Sequence, residues 1–275
     1  MRAWTLGSGS RGNAMVIESG GRRLLVDCGF GPRTLAGRLK AIGVAPESIE
    51  GVLVTHEHQD HAQGIERASH KWRWPVYGAA ATLAAIRGLP ARSRIALDSA
   101  PELVLDAFSI DSIAVPHDAA APLAYVITDR ASGARVGVAH DLGKVPALLR
   151  ERFAHCDALC IEANHDTVML RDGPYPAMLK ARIRGGFGHL SNETTGELVA
   201  GLMHRGLQAV VLLHLSETNN TPAVAERTVG AAARRAGFRG PVIAAAGRTP
   251  AEAFALGSPA ANVPRSVSTQ LALAL

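Results

Sequence analysis

The sequence predicts an α/β fold, and three observations carry that reading. Short apolar runs bounded by turn residues recur along the chain, as strands do. Between several of them lie segments with apolar residues at helical spacing. Two strands followed by strand and helix is the order in two successive halves, the first ending near Ser132 and the second starting near Arg135. At 275 residues the chain can bury a sizeable core. No linker or low-complexity stretch divides it, so a single domain over residues 1–256 is expected. The Ala/Pro/Ser-rich stretch 257–275 reads as a C-terminal tail.

Arg2 to Leu6 reads as the first strand. Met15 to Ile17 and Arg23 to Asp27 are two more, with Ser19-Gly20-Gly21 as a hairpin turn between them. Thr34 to Ile42 is an amphipathic helix with Leu35, Leu39 and Ile42 on one face. Val52 to Thr55 is a buried strand, the segment after His61 opens a helix, Val76-Tyr77 is a short strand and Ala80 to Arg87 a helix. The middle is strand-rich: Leu103 to Leu105, Ser109 to Val115, Leu123 to Thr128 and Arg135 to Ala139, with turns at Pro116-His117-Asp118 and Ala131-Ser132-Gly133. Val145 to Arg152 is helical, Ala158 to Glu162 a strand, Thr194 to Arg205 a helix and Ala209 to Leu213 a strand. A last helix spans Pro222 to Ala236, its start marked by proline at the first helical position after Thr221.

With 47% hydrophobic and 19% charged residues, the composition is that of an ordinary globular protein. No apolar run reaches the roughly 20 residues a bilayer span needs. Met1 to Gly7 shows no signal-peptide core. A soluble cytoplasmic protein without membrane contact is expected. Cys28, Cys156 and Cys160 are odd in number and lack CxxC spacing, so they read as small buried residues in a reducing compartment. The net charge of +5 suits a phosphate-rich partner, and equally a solvated basic face. Oligomeric state leaves no signature.

The densest chemistry lies in Thr55-His56-Glu57-His58-Gln59-Asp60-His61, directly after an apolar strand. His56 and His58 alternate by two and can project to one side of an extended segment. Asp60 and His61 follow at a helix start and can turn to a second ion. Imidazole with carboxylate suits Zn²⁺, Mn²⁺ or Fe. Further ligands must come from distant loops. His117, Asp141 and His214 each sit just past an apolar strand, and strand ends grouped on one sheet edge are where α/β proteins assemble sites.

On these residues the chain resembles the metallo-β-lactamase superfamily, whose fold is an αββα sandwich of two mixed β-sheets flanked by helices. The resemblance implies two divalent metal ions, Zn, Mn or Fe, at one edge of the sheets. His56, His58 and His117 would hold one, Asp60, His61 and His214 the other, and Asp141 would bridge them. Asp27 would support the ligand loop from behind. A bridging carboxylate speaks against the antibiotic-cleaving branch. The segments Glu162 to Asp166, Met169-Leu170, Tyr175-Pro176, Leu179 to Ile183, Gly188 to Asn192 and His214 to Asn220 resemble the YycJ/WalJ-like branch, whose members resemble DNA exonucleases. Gly188-His189-Leu190-Ser191 ahead of His214-Leu215-Ser216 is also similar to the RNase Z and phosphodiesterase branches, where the upstream histidine donates a proton. Carried over, His189 takes that role. The family's threonine before the bridging aspartate is His140 here, read as a non-ligand. His70, His155 and His204 read as surface residues.

The resemblance implies metal-assisted phosphodiester hydrolysis. Asp60 would orient the attacking water or accept its proton, and His189 would protonate the departing sugar oxygen. Ser8, Ser10 and Asn13, in the glycine-rich loop Gly7 to Asn13, line a phosphate path or merely form a tight turn. Lys180, Arg182 and Arg184 bind neighbouring phosphates or form a solvated helix face. Asn164, His165, Ser191, Ser216 and Asn219 would shape the pocket, with helix capping the other reading for His165 and Ser191. The implied partner is nucleic acid, namely DNA digested from its 5′ end. Sequence-independent cleavage is expected, since there is no base-reading module and only 4% aromatic residues for stacking. Two other readings stand beside it: a hydrolase of the same fold acting on a cyclic phosphodiester, lactone or thioester, and a metal-stabilised regulator that binds without cleaving.

Overall fold

The computed structural model describes residues 1–98, 102–245, 247 and 249–257, so the expected tail beyond residue 257 lies outside the described residues. Strands β1 (Arg2–Gly7), β2 (Ala14–Ser19) and β3 (Arg22–Val26) form an antiparallel meander. Gly20 and Gly21 join β2 to β3 with φ of 58° and 80°. A two-residue type I′ hairpin demands positive φ at both positions, and glycine adopts it without strain. The chain then alternates: α1 (Pro32–Ala41), β4 (Ile49–Leu53), α2 (Gln59–Ala62), α3 (Ile65–Trp72), β5 (Val76–Gly78), α4 (Ala80–Ala85) and β6 (Arg94–Ala96). Strands β3 to β6 run parallel.

A second meander follows, of β7 (Glu102–Val104), β8 (Phe108–Ala114), β9 (Leu123–Asp129) and β10 (Arg135–Ala139). Next come α5 (Ala147–Phe153), β11 (Ala158–Glu162), α6 (Thr167–Asp172), α7 (Ala177–Arg184), α8 (Asn192–Gly201), β12 (Ala209–Leu213), α9 (Pro222–Arg235) and β13 (Val242–Ala244), with β10 to β13 parallel. Finally β14 (Ala251–Ala255) crosses back and pairs antiparallel with β1. The sheet orders are β14-β1-β2-β3-β4-β5-β6 and β13-β12-β11-β10-β9-β8-β7.

Period-two alternation assigns each strand's side chains to one of three cores. Met15, Ile17, Leu24 and Val26 meet Ile110, Tyr125, Val138 and Val211 between the sheets. Val16 and Leu25 turn outward onto Leu35, Leu39 and Ile65 of α1 and α3. Leu159, Ile161, Val210 and Leu212 pack against Leu149, Leu198 and Val229 of α5, α8 and α9. This is an αββα sandwich, as expected. No helix among the described residues is long and apolar enough to cross a membrane.

The halves do not divide at Ser132. The turn there is a hairpin between β9 and β10 of one sheet, and the first sheet hands over to the second between β6 and β7. Alternation in β8 and β9 fits either sheet, so pattern alone misplaced the boundary. Strands β6, β13 and β14 were not foreseen. β6 is wholly exposed and three residues long, so it carries no hydrophobic signal.

A candidate metal centre at the sandwich edge

The parallel strands all end on one edge of the sandwich, and the polar residues that follow them meet there. His56 to His61 follow β4, His117 follows β8, Asp141 follows β10 and His214 follows β12. Asp27 and His214, each the first residue past its strand, have φ of 59° and 53°. Left-handed backbone is costly for a side chain with a Cβ and clusters at functional sites. In both residues the turned backbone directs a titratable group inward.

Asp141 is the hub. Its Oδ2 lies 3.5 Å from Nε2 of His56, His61 and His117, and its Oδ1 lies 3.2 Å from His214 Nδ1. His56, His58, His117 and Asp141 form one group whose ligand atoms lie within 4.8 Å of one another, and Asp60, His61 and His214 form another. Asp60 Oδ2 is 3.1 Å from His214 Nε2 and 3.4 Å from His61 Nε2.

The outer nitrogens are held by the protein. His61 Nδ1 faces Asp27 Oδ2 at 2.7 Å, His117 Nδ1 faces the Gly188 carbonyl at 3.0 Å, and His56 Nδ1 faces Thr55 Oγ1 at 3.0 Å. That fixes each ring and leaves Nε2 for the centre, the arrangement a metal-bound imidazole needs. His117 Nε2 and Asp141 Oδ1 are buried without a hydrogen-bond partner. Orphaned buried polar atoms are expensive, and cations at the cluster would satisfy both. The donor set of imidazoles and carboxylates therefore fits divalent metal ions.

Among the side chains of the cluster, charge is divided unevenly. Burial, with His61 adding to it, drives His56 well below the usual imidazole range, and burial also lowers His117. Burial works the same way on His214, but Asp141, Asp60 and Glu162 outweigh it and hold that imidazole up at about 10. His61 is raised well above its usual value, since Asp141 and Asp27 outweigh burial. Burial opposes ionisation of Asp60, yet hydrogen bonds with His214 and His61 hold it far below the carboxylate range.

Support comes from behind the ligand loop. Asp27 accepts hydrogen bonds from Thr55 N at 2.8 Å and from Thr55 Oγ1 at 2.9 Å. The Asn13 N–H donates to the Asp60 carbonyl and the Cys28 N–H to the His61 carbonyl, both at 2.7 Å. Gly29 packs so closely that a Cβ there would lie 1.8 Å from the Asp60 carbonyl oxygen.

One functional residue escaped the sequence reading as a site residue. Glu162, 0% exposed at the end of β11, accepts from Leu142 N at 2.9 Å and Leu190 N at 3.1 Å and faces His189 Nδ1 at 2.6 Å. Its only signal is an acid closing an otherwise apolar strand. Glu162 outweighs the burial of His189 and holds the imidazole above its ordinary range.

The expected substrate-binding residues divide. Ser10, Asn164, Arg182 and Ser216 line a 190 Å³ cavity that includes His189 and His214. There Arg182 is paired to Asp118 at 2.6 Å. His165, Ser191 and Arg184 line a second cavity that His189 also lines. Ser8 Oγ accepts from His214 N at 2.8 Å, and Asn13 Nδ2 reaches Asp60 Oδ2 at 3.1 Å, so both brace the ligands. Lys180 Nζ is turned to the Arg171 carbonyl at 2.7 Å, and Asn219 is buried against the Ser216 loop; neither lines these two cavities. Ser191 caps α8, accepting from Thr194 N at 3.2 Å. His140 is buried behind the cluster, 3.7 Å from Asp27. His70 and His155 are exposed, whereas His204 is half-buried and meets the Cys156 carbonyl at 3.0 Å.

Residues 7–144 match the family model of the metallo-β-lactamase superfamily. The chain is 30% identical over 237 residues to exodeoxyribonuclease YycJ of Bacillus anthracis, covering 85% of this chain and 89% of that one. It is 32% identical over 233 residues to exodeoxyribonuclease WalJ of Streptococcus pneumoniae (serotype 2, strain D39), covering 82% and 85%. Among solved structures it is similar to the metallo-β-lactamase fold protein YhfI of Bacillus subtilis, with a TM-score of 0.67, 21% identity and coverage of 91% and 98%.

Proposed function

The chain belongs to the metallo-β-lactamase superfamily, in the branch of the YycJ and WalJ proteins, and as a metal-dependent hydrolase of the phosphodiester type we propose that it is a sequence-independent DNA exonuclease working from the 5′ end. The observation that carries this reading is likeness to two exodeoxyribonucleases across more than four fifths of either partner's length. The geometry supports it. Seven ligand candidates converge beside a histidine whose outer nitrogen is held by a buried carboxylate.

His56, His58 and His117 would hold one ion and Asp60, His61 and His214 the second, with Asp141 a ligand candidate within reach of both sets. Two such ions, when bound, would supply Lewis acidity toward phosphoryl oxygens and would acidify water near neutral pH. The protein's own groups do the rest. Asp60, anionic throughout the working range, accepts a hydrogen bond from the attacking water and orients it. Glu162 holds His189 Nδ1, so Nε2 is left to hand its proton to the departing 3′ oxygen. Ser10, Asn164 and Ser216 offer hydrogen-bonding groups to the phosphate and sugar at the cavity wall. Arg182 adds a cation there that Asp118 keeps in place.

Duplex DNA labelled at either end, incubated with the Mn²⁺-, Zn²⁺- or Mg²⁺-loaded protein, tests the reading. Mononucleotides released first from the 5′-labelled end are expected. Turnover of cyclic nucleotides or bis(p-nitrophenyl) phosphate with DNA left intact would instead make it a small-diester hydrolase. DNA binding without cleavage under every metal would make it a binder.

A further inference from the structure

His189 also lines a cavity of 310 Å³ whose wall includes none of the seven ligand candidates. Its wall carries three cationic side chains, Lys144, Arg150 and Arg184, together with Thr194 and with Thr167, whose hydroxyl donates to Glu193 at 3.2 Å. The cations come from three separate segments: the loop after β10, α5 and the end of α7. Among the described residues no carboxylate lies within 4.0 Å of any of the three charged groups, whereas Arg182, two residues before Arg184, is paired. Like charges brought together without counter-ions repel one another and persist where an anion balances them. His165 is a second and independent sign. It lines the same cavity, is 2% exposed, and its Nδ1 is buried without a hydrogen-bond partner. A buried ring nitrogen with no partner is a cost that a bound ligand removes, and in the Nδ1–H tautomer it donates to a phosphate oxygen.

We infer that this cavity binds the terminal 5′-phosphate of the DNA strand. The inference rests on the exonuclease reading and deepens it. His189 lines both cavities, so a strand whose scissile phosphate sits at the ligand cluster, with its departing 3′ oxygen at His189, runs on into the cationic cavity. The group one nucleotide along, on the departing side, is the phosphate at the 5′ end. Two guanidiniums and an ammonium suit a dianion, and bidentate arginine contacts to phosphate are strong. Such a pocket measures the strand from its end, so that one nucleotide is removed at a time.

Calorimetric titration of the Mn²⁺-loaded full chain tests this with a thymidine dinucleotide whose internal linkage is an uncleavable methylphosphonate. The ligand is supplied with a 5′-phosphate, with a 3′-phosphate, or with neither. The 5′-phosphorylated form is expected to bind at least tenfold more tightly than the other two. In the doubly substituted Lys144→Ala/Arg184→Ala protein, whose altered side chains are exposed, the three forms should bind within about twofold of one another. Equal binding of all three by the unsubstituted protein overturns the inference. So does a 5′ preference that survives the double substitution, because the phosphate is then held elsewhere. Since nothing is cleaved, the outcome separates from the exonuclease reading. A 5′ preference in a protein that never digests DNA keeps the pocket and removes the nuclease, and digestion without the preference does the reverse.

Discussion

A buried carboxylate is costly unless its lone pairs are taken, and Glu162 meets that cost with two backbone donors and an imidazole. The same contacts aim His189, so the pair acts as a unit. His189→Ala is expected to lower kcat on DNA by about 10²–10⁴-fold, the usual contribution of a positioned acid. Bound metal, measured by mass spectrometry, should stay unchanged. Glu162→Gln removes the anion that raises His189. An acid works only while protonated, so the alkaline limb of the pH–rate profile should move to lower pH in that variant. An unmoved limb would mean another group donates the proton. Metal uptake gives a second prediction. In the ion-free protein His214, held at about 10, and His61, also raised, keep their protons at pH 7. A cation must displace them, so uptake releases protons and weakens as pH falls. Calorimetry in two buffers of different ionisation enthalpy should give different apparent heats; identical heats would refute proton release.

At the scale of elements, the turn after β3 and the loop before β2 clamp the His56–His61 segment through backbone hydrogen bonds and through the Asp27 and Asn13 side chains. Gly29 is the tightest of these, because its missing Cβ is what lets Asp60 approach. Gly29→Ala cannot be absorbed by a rotamer change, since the opposing atom is backbone. The expected cost is about 2 kcal/mol, read as a melting temperature lower by roughly 4–8 °C. Metal affinity should fall with it, because Asp60 moves. Unchanged melting and metal content would mean that the clamp is slack. In contrast α7 buries none of its residues. It stands over the first cavity as a wall tied by the Arg182–Asp118 pair, so its helical signal was faint in the sequence.

Over the whole molecule, what could be read from sequence depended on whether the cause was local. The αββα layering follows from period-two strands such as β2 and β12, and those are visible residue by residue. The dense histidine run stands out by residue type, as do His117, Asp141 and His214 behind apolar strands, and the fold brings all of them together. Glu162 was passed over because a single acid at a strand end has many ordinary explanations. The left-handed backbone at Asp27 and His214 was invisible, since torsion leaves no mark in composition. The boundary between the sheets was misplaced because strand partners are chosen by tertiary packing. Lys180 read either as a phosphate ligand or as part of a solvated helix face, and it folds back onto the Arg171 carbonyl, a detail fixed only by how α6 meets α7.

The return of β14 to β1 has a further meaning for how the molecule is made. β1 is made long before β14, and one of its edges stays uncovered until residues 251–255 have been translated and Arg2 can find Glu252. An open strand edge is a template for pairing with a neighbouring chain. His214 also arrives late, long after the His56–His61 loop has its supporting turns. A polypeptide released early would therefore carry a half-formed nest for one cation, no lasting seat for the other, and a bare edge inviting its neighbours.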